Sequence, residues 1–340
     1  MLRAVRVTED WMPFSNGTGG WTEAVPIKVS DVLRFYEAVI WEETDSVHLY
    51  AFPNDFDPWW GTFEDVSDEE VIAYREQYAI SVRGDMPEES SEERSDFLRS
   101  AFQDFASLLV ERHPDAEHHL MYSGHGGPTG DLFERQLNRA DADAFLAGWT
   151  ALLGRPLGVI DMGGPCNKGG YEDLANFCRH ARYYVASDLP NGGYSTDDWT
   201  PEKHYETNAE LQYHRLLESS ETLEEALIAR VDLRRRDYEF SVNNLTQDRW
   251  PQASYVYSCA GFRDFSAAFE AFLVEASIAD PVYDLYQLLL DNAAPPALLD
   301  GFGDVLVHGV DNRDFFTWET TANGIISPTE RILRGVADGV

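Results

Sequence analysis

Two short motifs carry residue types able to do nucleophilic chemistry, and each sits just past an apolar run. Ser123-Gly124-His125-Gly126-Gly127 follows Leu120-Met121-Tyr122, and Cys166-Asn167-Lys168-Gly169-Gly170-Tyr171-Glu172 follows Leu157-Gly158-Val159-Ile160-Asp161. A cysteine and a histidine delivered to one place are the minimum apparatus of thiol catalysis. The sulfur attacks a carbonyl, and the imidazole takes the thiol proton and returns it to the leaving amine. A thiol is mostly protonated near pH 7 and needs help to ionise. A helix opening after the cysteine loop supplies a partial positive charge and free N–H groups. Gly169 and Gly170 suit a tight turn that lets a substrate carbonyl approach the backbone. The N–H groups of Gly126 and Cys166 are candidates for an oxyanion hole. The competing readings are a buried structural cysteine and a loop histidine without a role. Pro165 and Asn167 beside Cys166 do not belong in a core strand, and a histidine between glycines is hard to justify by packing. Cys178, on a helix face with Leu174 and Phe177, and Cys259, at a strand end, read instead as small buried hydrophobes.

Other chemistries lack their patterns. His118 and His119 are adjacent and leave a strand on opposite faces. No Cys-x-x-Cys, His-Glu-x-x-His, phosphate-cradling glycine motif or nucleophile elbow occurs. Asp55-Phe56-Asp57-Pro58 lacks the spacing and glycine of a calcium loop. No metal or other cofactor is expected.

The two motifs must be positioned by a scaffold, and the pattern around them describes one. Strand-like runs at 47–52, 120–122, 157–161, 182–186 and 254–259 alternate with helical patterns. Phe97, Ala101, Phe102, Phe105, Leu108 and Leu109 mark a helix ending near His113-Pro114, with Ser95 as candidate N-cap. Asp141 to Leu153 forms another, stopped by Gly154. A third holds Tyr171, Leu174 and Phe177. Thr222 and Glu225 have the spacing of a capping box, and Phe265 to Phe272 marks a further helix. Apolar segments at 285–290 and 305–310 follow. The alternation predicts an α/β fold with a largely parallel central sheet flanked by helices. In such sheets ligands bind beyond the carboxyl ends of the strands, where both motifs lie.

Composition sets the limits. The chain has 340 residues, is 44% hydrophobic and carries three cysteines. Three cysteines make no disulfide framework and suit a reducing compartment, and the first residues do not read as a signal peptide. A cytoplasmic location is therefore expected, with no membrane span. The net charge is −34, and only Lys28, Lys168 and Lys203 are lysines. Such acidity disfavours nucleic acid and anionic lipid and favours cationic peptide substrates.

The chain resembles the clostripain-like cysteine peptidases of the caspase-fold clan. His125-Gly126 after a strand matches that family's His-Gly motif, and Cys166, Gly169 and Glu172 match its Cys-x-x-Gly-x-x-Glu. Ala186-Ser187-Asp188 with Gly192-Gly193-Tyr194 is similar to the next element. The strand 255–259 and the helix 265–272 are similar to the last. The resemblance implies a caspase-like sandwich and a Cys166/His125 endopeptidase. It covers 46–275, leaving 1–45 as an N-terminal extension packed on the core and 276–340 as a C-terminal extension.

The family's aspartate stands two residues before its cysteine, whereas Asp161 stands five before Cys166. Asp161 and Asp188 are the acids expected to form a substrate-binding pocket for arginine, then lysine, before the cut. The run Arg234-Arg235-Arg236 is a candidate processing site, exposed if it follows the helix opened at Thr222. A regulatory protein partner is the other expected means of control. The alternative to an active peptidase is a catalytically dormant caspase-fold module that binds or scaffolds.

Overall fold

The computed structural model describes residues 2–9, 21–22, 34–41, 44–52, 76–88, 92–122, 130–133, 136–162, 167–189, 221–244, 252–275, 284–313 and 324–325. Among them ten strands form one sheet. They are β1 (Leu2–Glu9), β2 (Trp21–Thr22), β3 (Arg34–Trp41), β4 (Ser46–Phe52), β5 (Ala79–Arg83), β6 (Glu117–Tyr122), β7 (Leu157–Met162), β8 (Ala181–Ala186), β9 (Ala253–Ser258) and β10 (Leu306–Asp311). The order is β10-β9-β8-β7-β6-β1-β3-β4-β5, with β2 paired to β1. The five central strands, β3, β1, β6, β7 and β8, run parallel; the flanking pairs are antiparallel. Every residue of β7 is buried, as a central parallel strand covered on both faces must be.

Seven helices lie among the described residues: α1 (Glu92–Arg112), α2 (Arg139–Leu153), α3 (Tyr171–Phe177), α4 (Leu223–Asn244), α5 (Cys259–Glu275), α6 (Leu285–Asp291) and α7 (Pro296–Val305). The ends of α2 and α4 follow their sequence signals. Asn138 caps α2 by accepting from the Asp141 N–H, and Gly154 ends it in the left-handed region at φ 67°. Thr222 and Glu225 bond each other's backbone N–H, closing the capping box of α4. Ser95 is not a cap. It lies inside α1, where its hydroxyl donates to Asp141 and accepts from the Asn138 N–H, tying α1 to the start of α2.

The helices divide between the two faces. Trp149 of α2 donates to His118, and Phe177 of α3 stacks on Tyr184. Tyr171 packs on Phe262 and Phe269 of α5. On the opposite face α4 meets Asp161 of β7 and Tyr183 of β8 through Arg230 and Glu224.

Two expectations are corrected here. The described strands of residues 1–45 do not rest on the core as an extension, because β1 lies inside the sheet between β6 and β3. The helical and strand extension expected from residue 276 onward supplies α6, α7 and the edge strand β10. Cys178 and Cys259 are not separate buried thiols; they form a disulfide across 81 residues of chain, with Cα atoms 4.7 Å apart. In a chain-entropy account a loop of that length is worth roughly 4–5 kcal/mol. No helix among the described residues is long and apolar enough to cross a membrane.

Candidate active site

β6 and β7 are neighbouring parallel strands, with Leu120 beside Ile160 and Met121 beside Asp161. Running parallel, β6 and β7 end at the same edge of the sheet; in sequence Ser123 follows the last residue of β6, and Cys166 stands four residues past the end of β7. His125, Gly126 and Cys166 lie outside the described residues.

The turn after Cys166 is pinned to the end of β8. Asn167 has φ 52°, a left-handed conformation that asparagine tolerates. Its N–H donates to the Leu189 carbonyl at 3.0 Å, and the Gly169 N–H donates to the Ser187 carbonyl at 2.6 Å. A Cβ on Gly169 would lie 2.7 Å from the Asp188 nitrogen and from the Tyr257 hydroxyl. Glycine is needed there for close backbone approach rather than for an unusual dihedral. Gly170 then opens α3, its carbonyl accepting from Leu174 N–H. Glu172 is a tether: its carboxylate meets the Arg139 guanidinium at 2.6 Å, joining α3 to α2.

Lys168 is 1% exposed. Its ammonium donates to the Asp131 carbonyl at 2.7 Å and approaches the carboxylates of Asp173 at 3.2 Å and Asp131 at 3.4 Å. Asp173 also accepts the Gly130 N–H at 2.9 Å. Burial drives the Asp173 carboxyl up to about 7 against the opposing pull of Lys168 and the Gly130 N–H.

The two acids expected to receive a substrate cation differ. Asp161 is fully buried and holds Arg230, with Nε–Oδ2 at 2.8 Å and Nη2–Oδ1 at 3.2 Å. This corrects the expectation for Asp161, whose two oxygens already face a guanidinium. Asp188 is 1% exposed and accepts the Gly324 N–H on Oδ2 at 3.1 Å. Its Oδ1 has no hydrogen-bond partner among the described residues. Burial, with the nearby Asp284 charge, raises its pKa to about 7; the Gly324 N–H and, electrostatically, Arg313 oppose the rise. Tyr257 donates to the Gly324 carbonyl, so residue 324 is stitched to both β9 and Asp188.

Arg234 and Arg235 lie within α4 and not after it, and the position of Arg236 is also helical. Proteolysis concentrates at exposed loop tips. The helix would have to unwind before a protease could engage these residues, which removes the reason for expecting cleavage there. Sequence reading missed Arg230, Asp131, Asp173 and Lys168 as working groups. The scarcity of lysine was the available signal for Lys168, but nothing in the sequence names its partners.

No family model matches the chain, and no curated protein is significantly similar in sequence. Solved structures do match. A secreted C11 cysteine protease from Bacteroides thetaiotaomicron, "iotapain", superposes with a TM-score of 0.54 over 86% of this chain and 82% of that one, at 10% identity. A secreted C11 cysteine protease from the same organism, in complex with an irreversible peptide inhibitor, gives a TM-score of 0.51 over 87% of this chain and 79% of that one, at 11% identity. At such identity the likeness speaks to architecture. The parallel core, the flanking helices and the two motif-bearing strand ends together give this chain the caspase-like fold of the C11, clostripain-like, cysteine proteases.

Proposed function

We propose that this chain is a cysteine endopeptidase in which Cys166 is the nucleophile and His125 the general base, cleaving after arginine or lysine. One observation carries the reading: β6 and β7 are neighbouring parallel strands, and in sequence the only histidine set among glycines follows the first while the only cysteine outside the disulfide follows the second. The likeness to C11 proteases supports it at the level of fold.

In this mechanism His125 accepts the proton of Cys166 as the sulfur attacks the scissile carbonyl. The carbonyl oxygen becomes an oxyanion, stabilised by the N–H groups of Gly126 and Cys166. Collapse expels the amine, which takes the proton from His125. Water then attacks the thioester, giving its proton to His125 and releasing the acid and the free thiol. Asp188 is the acid for the substrate's basic side chain. An arriving guanidinium would ionise its carboxyl, so kcat/KM for arginyl substrates falls as pH drops below about 7.

The test is a fluorogenic peptide panel with Cys166→Ala and His125→Ala. Each substitution is expected to lower kcat by several orders of magnitude with the fold intact. Retention of more than about 10% of activity by Cys166→Ala overturns the nucleophile. Preference for an acidic or apolar residue before the cut overturns the specificity. Absence of any hydrolysis, with an unactivated Cys166, points to the dormant binding module.

A further inference from the structure

We infer that Lys168 and Asp173 are positioning residues for the Cys166/His125 pair: their buried ion pair, closed on Gly130 and Asp131, locks the chain that follows the cysteine to the chain that follows the histidine loop. The inference rests on the dyad proposed above.

The clamp joins two segments distant in sequence. On one side Lys168 lies two residues after Cys166; on the other Gly130 and Asp131 lie five and six residues after His125. The Lys168 ammonium directs its donors to the Asp131 carbonyl and to the carboxylates of Asp131 and Asp173. Asp173 takes the Gly130 N–H at 2.9 Å, and Asn176 donates to the Gly130 carbonyl at 2.9 Å. Both polar groups of the Gly130 backbone are therefore held by α3. The Lys168 backbone is fixed in turn, its carbonyl accepting the Tyr184 hydroxyl at 2.7 Å. Gly130 has φ +70°, and a Cβ there would come 2.9 Å from Arg139 Cδ, so the close approach of this segment to α2 requires glycine.

Stability alone does not call for this arrangement. A buried ion pair is often no better than apolar side chains of similar volume, and its best-attested use is to specify one registry. Lysine suits the role, because its compact ammonium reaches three acceptors in different directions where a planar guanidinium would not. Two residues of chain reach at most about 7 Å, so displacement of Lys168 passes almost directly to Cys166. A nucleophile and base tolerate little of this: misplacement by about 1 Å costs roughly 100-fold.

The experiment uses the full chain and four variants: Lys168→Met, Lys168→Met/Asp173→Leu, His125→Ala and His125→Ala/Lys168→Met. The Lys168→Met/Asp173→Leu variant replaces the pair with apolar volume, so that the fold survives if the single variant does not; circular dichroism and urea midpoints check this. With Cys178 and Cys259 bonded to each other, iodoacetamide uptake reports Cys166 alone. The clamp predicts that the Lys168→Met/Asp173→Leu variant folds, loses kcat by about 50–100-fold with KM changed by less than about threefold, and titrates its thiol near the ordinary value of about 8.5. It also predicts that Lys168→Met slows alkylation no further once His125 is alanine. A folded Lys168→Met/Asp173→Leu variant with parental kcat and thiol titration overturns the clamp and leaves the dyad standing. A parent protein whose Cys166 titrates as an ordinary thiol, unchanged by His125→Ala, overturns the dyad and the clamp with it.

Discussion

Asp161 lies near the end of β7 and Asp188 two residues past the end of the neighbouring parallel strand β8, both buried. Asp161 meets a guanidinium on both oxygens, delivered by α4 from 69 residues downstream. Asp188 accepts the Gly324 N–H and makes no ion pair among the described residues, and burial raises its pKa to about 7. Burial disfavours a charged carboxylate, and a buried cationic partner opposes that cost. The first acid is committed to holding α4 against the sheet. The second has one oxygen without a hydrogen-bond partner among the described residues, and under the proposed specificity that oxygen is the one left to meet a substrate cation.

The largest effect should come from breaking the committed pair. Arg230→Met strands a charge on Asp161 and is expected to lower unfolding free energy by about 3–5 kcal/mol in urea titration. Arg230→Met/Asp161→Leu should recover most of that loss, since both charges leave together. A single variant that loses under about 1 kcal/mol would show that the pair is not what keeps Asp161 tolerable.

Next in size is the pH dependence of Asp188. A carboxyl that titrates near 7 in the native state and near 3.8 when unfolded binds more protons native between those values. Its contribution to stability is thus present below about pH 4 and falls as pH rises towards 7, by roughly 4 kcal/mol at most. Asp173 shifts in the same direction, so the quantity to measure is the parent minus Asp188→Asn difference in unfolding free energy across pH 4–8. That difference should decline with pH. A flat difference would mean that folding does not shift the titration of Asp188.

The smallest effect expected is on turnover, and it sharpens the contrast most. Asp188→Asn should reduce kcat/KM for an arginyl peptide by about 10–100-fold, the worth of one charge-assisted hydrogen bond. Asp161→Asn should leave the kcat/KM of the folded fraction within about threefold. Equal losses in both variants would assign both acids to substrate, as the sequence alone suggests.

The local patterns were legible. Asn138, Gly154, Thr222 and Glu225 act within a few residues of themselves, so α2 and α4 begin or end where the sequence signals. The strand runs preceding the two motifs are visible for a similar reason: a strand buried on both faces must be apolar nearly throughout. Ser95 misled because a serine near a helix start has the same appearance whether it caps its own helix or reaches another. The first 45 residues misled because a strand inserted between β6 and β3 has no sequence neighbour to reveal it.

By itself, then, the sequence determined an α/β chain with a cysteine and a histidine each just past a core strand, because periodicity, caps and turn chemistry are properties of short windows. Tertiary structure alone decided that those strands are adjacent, that Cys178 meets Cys259, that Arg230 takes Asp161, and that Lys168 binds Asp131 directly and Gly130 through Asp173. Each of these is a contact between groups far apart in the chain. Its partner is chosen by which faces pack together, and no short window of sequence contains that choice.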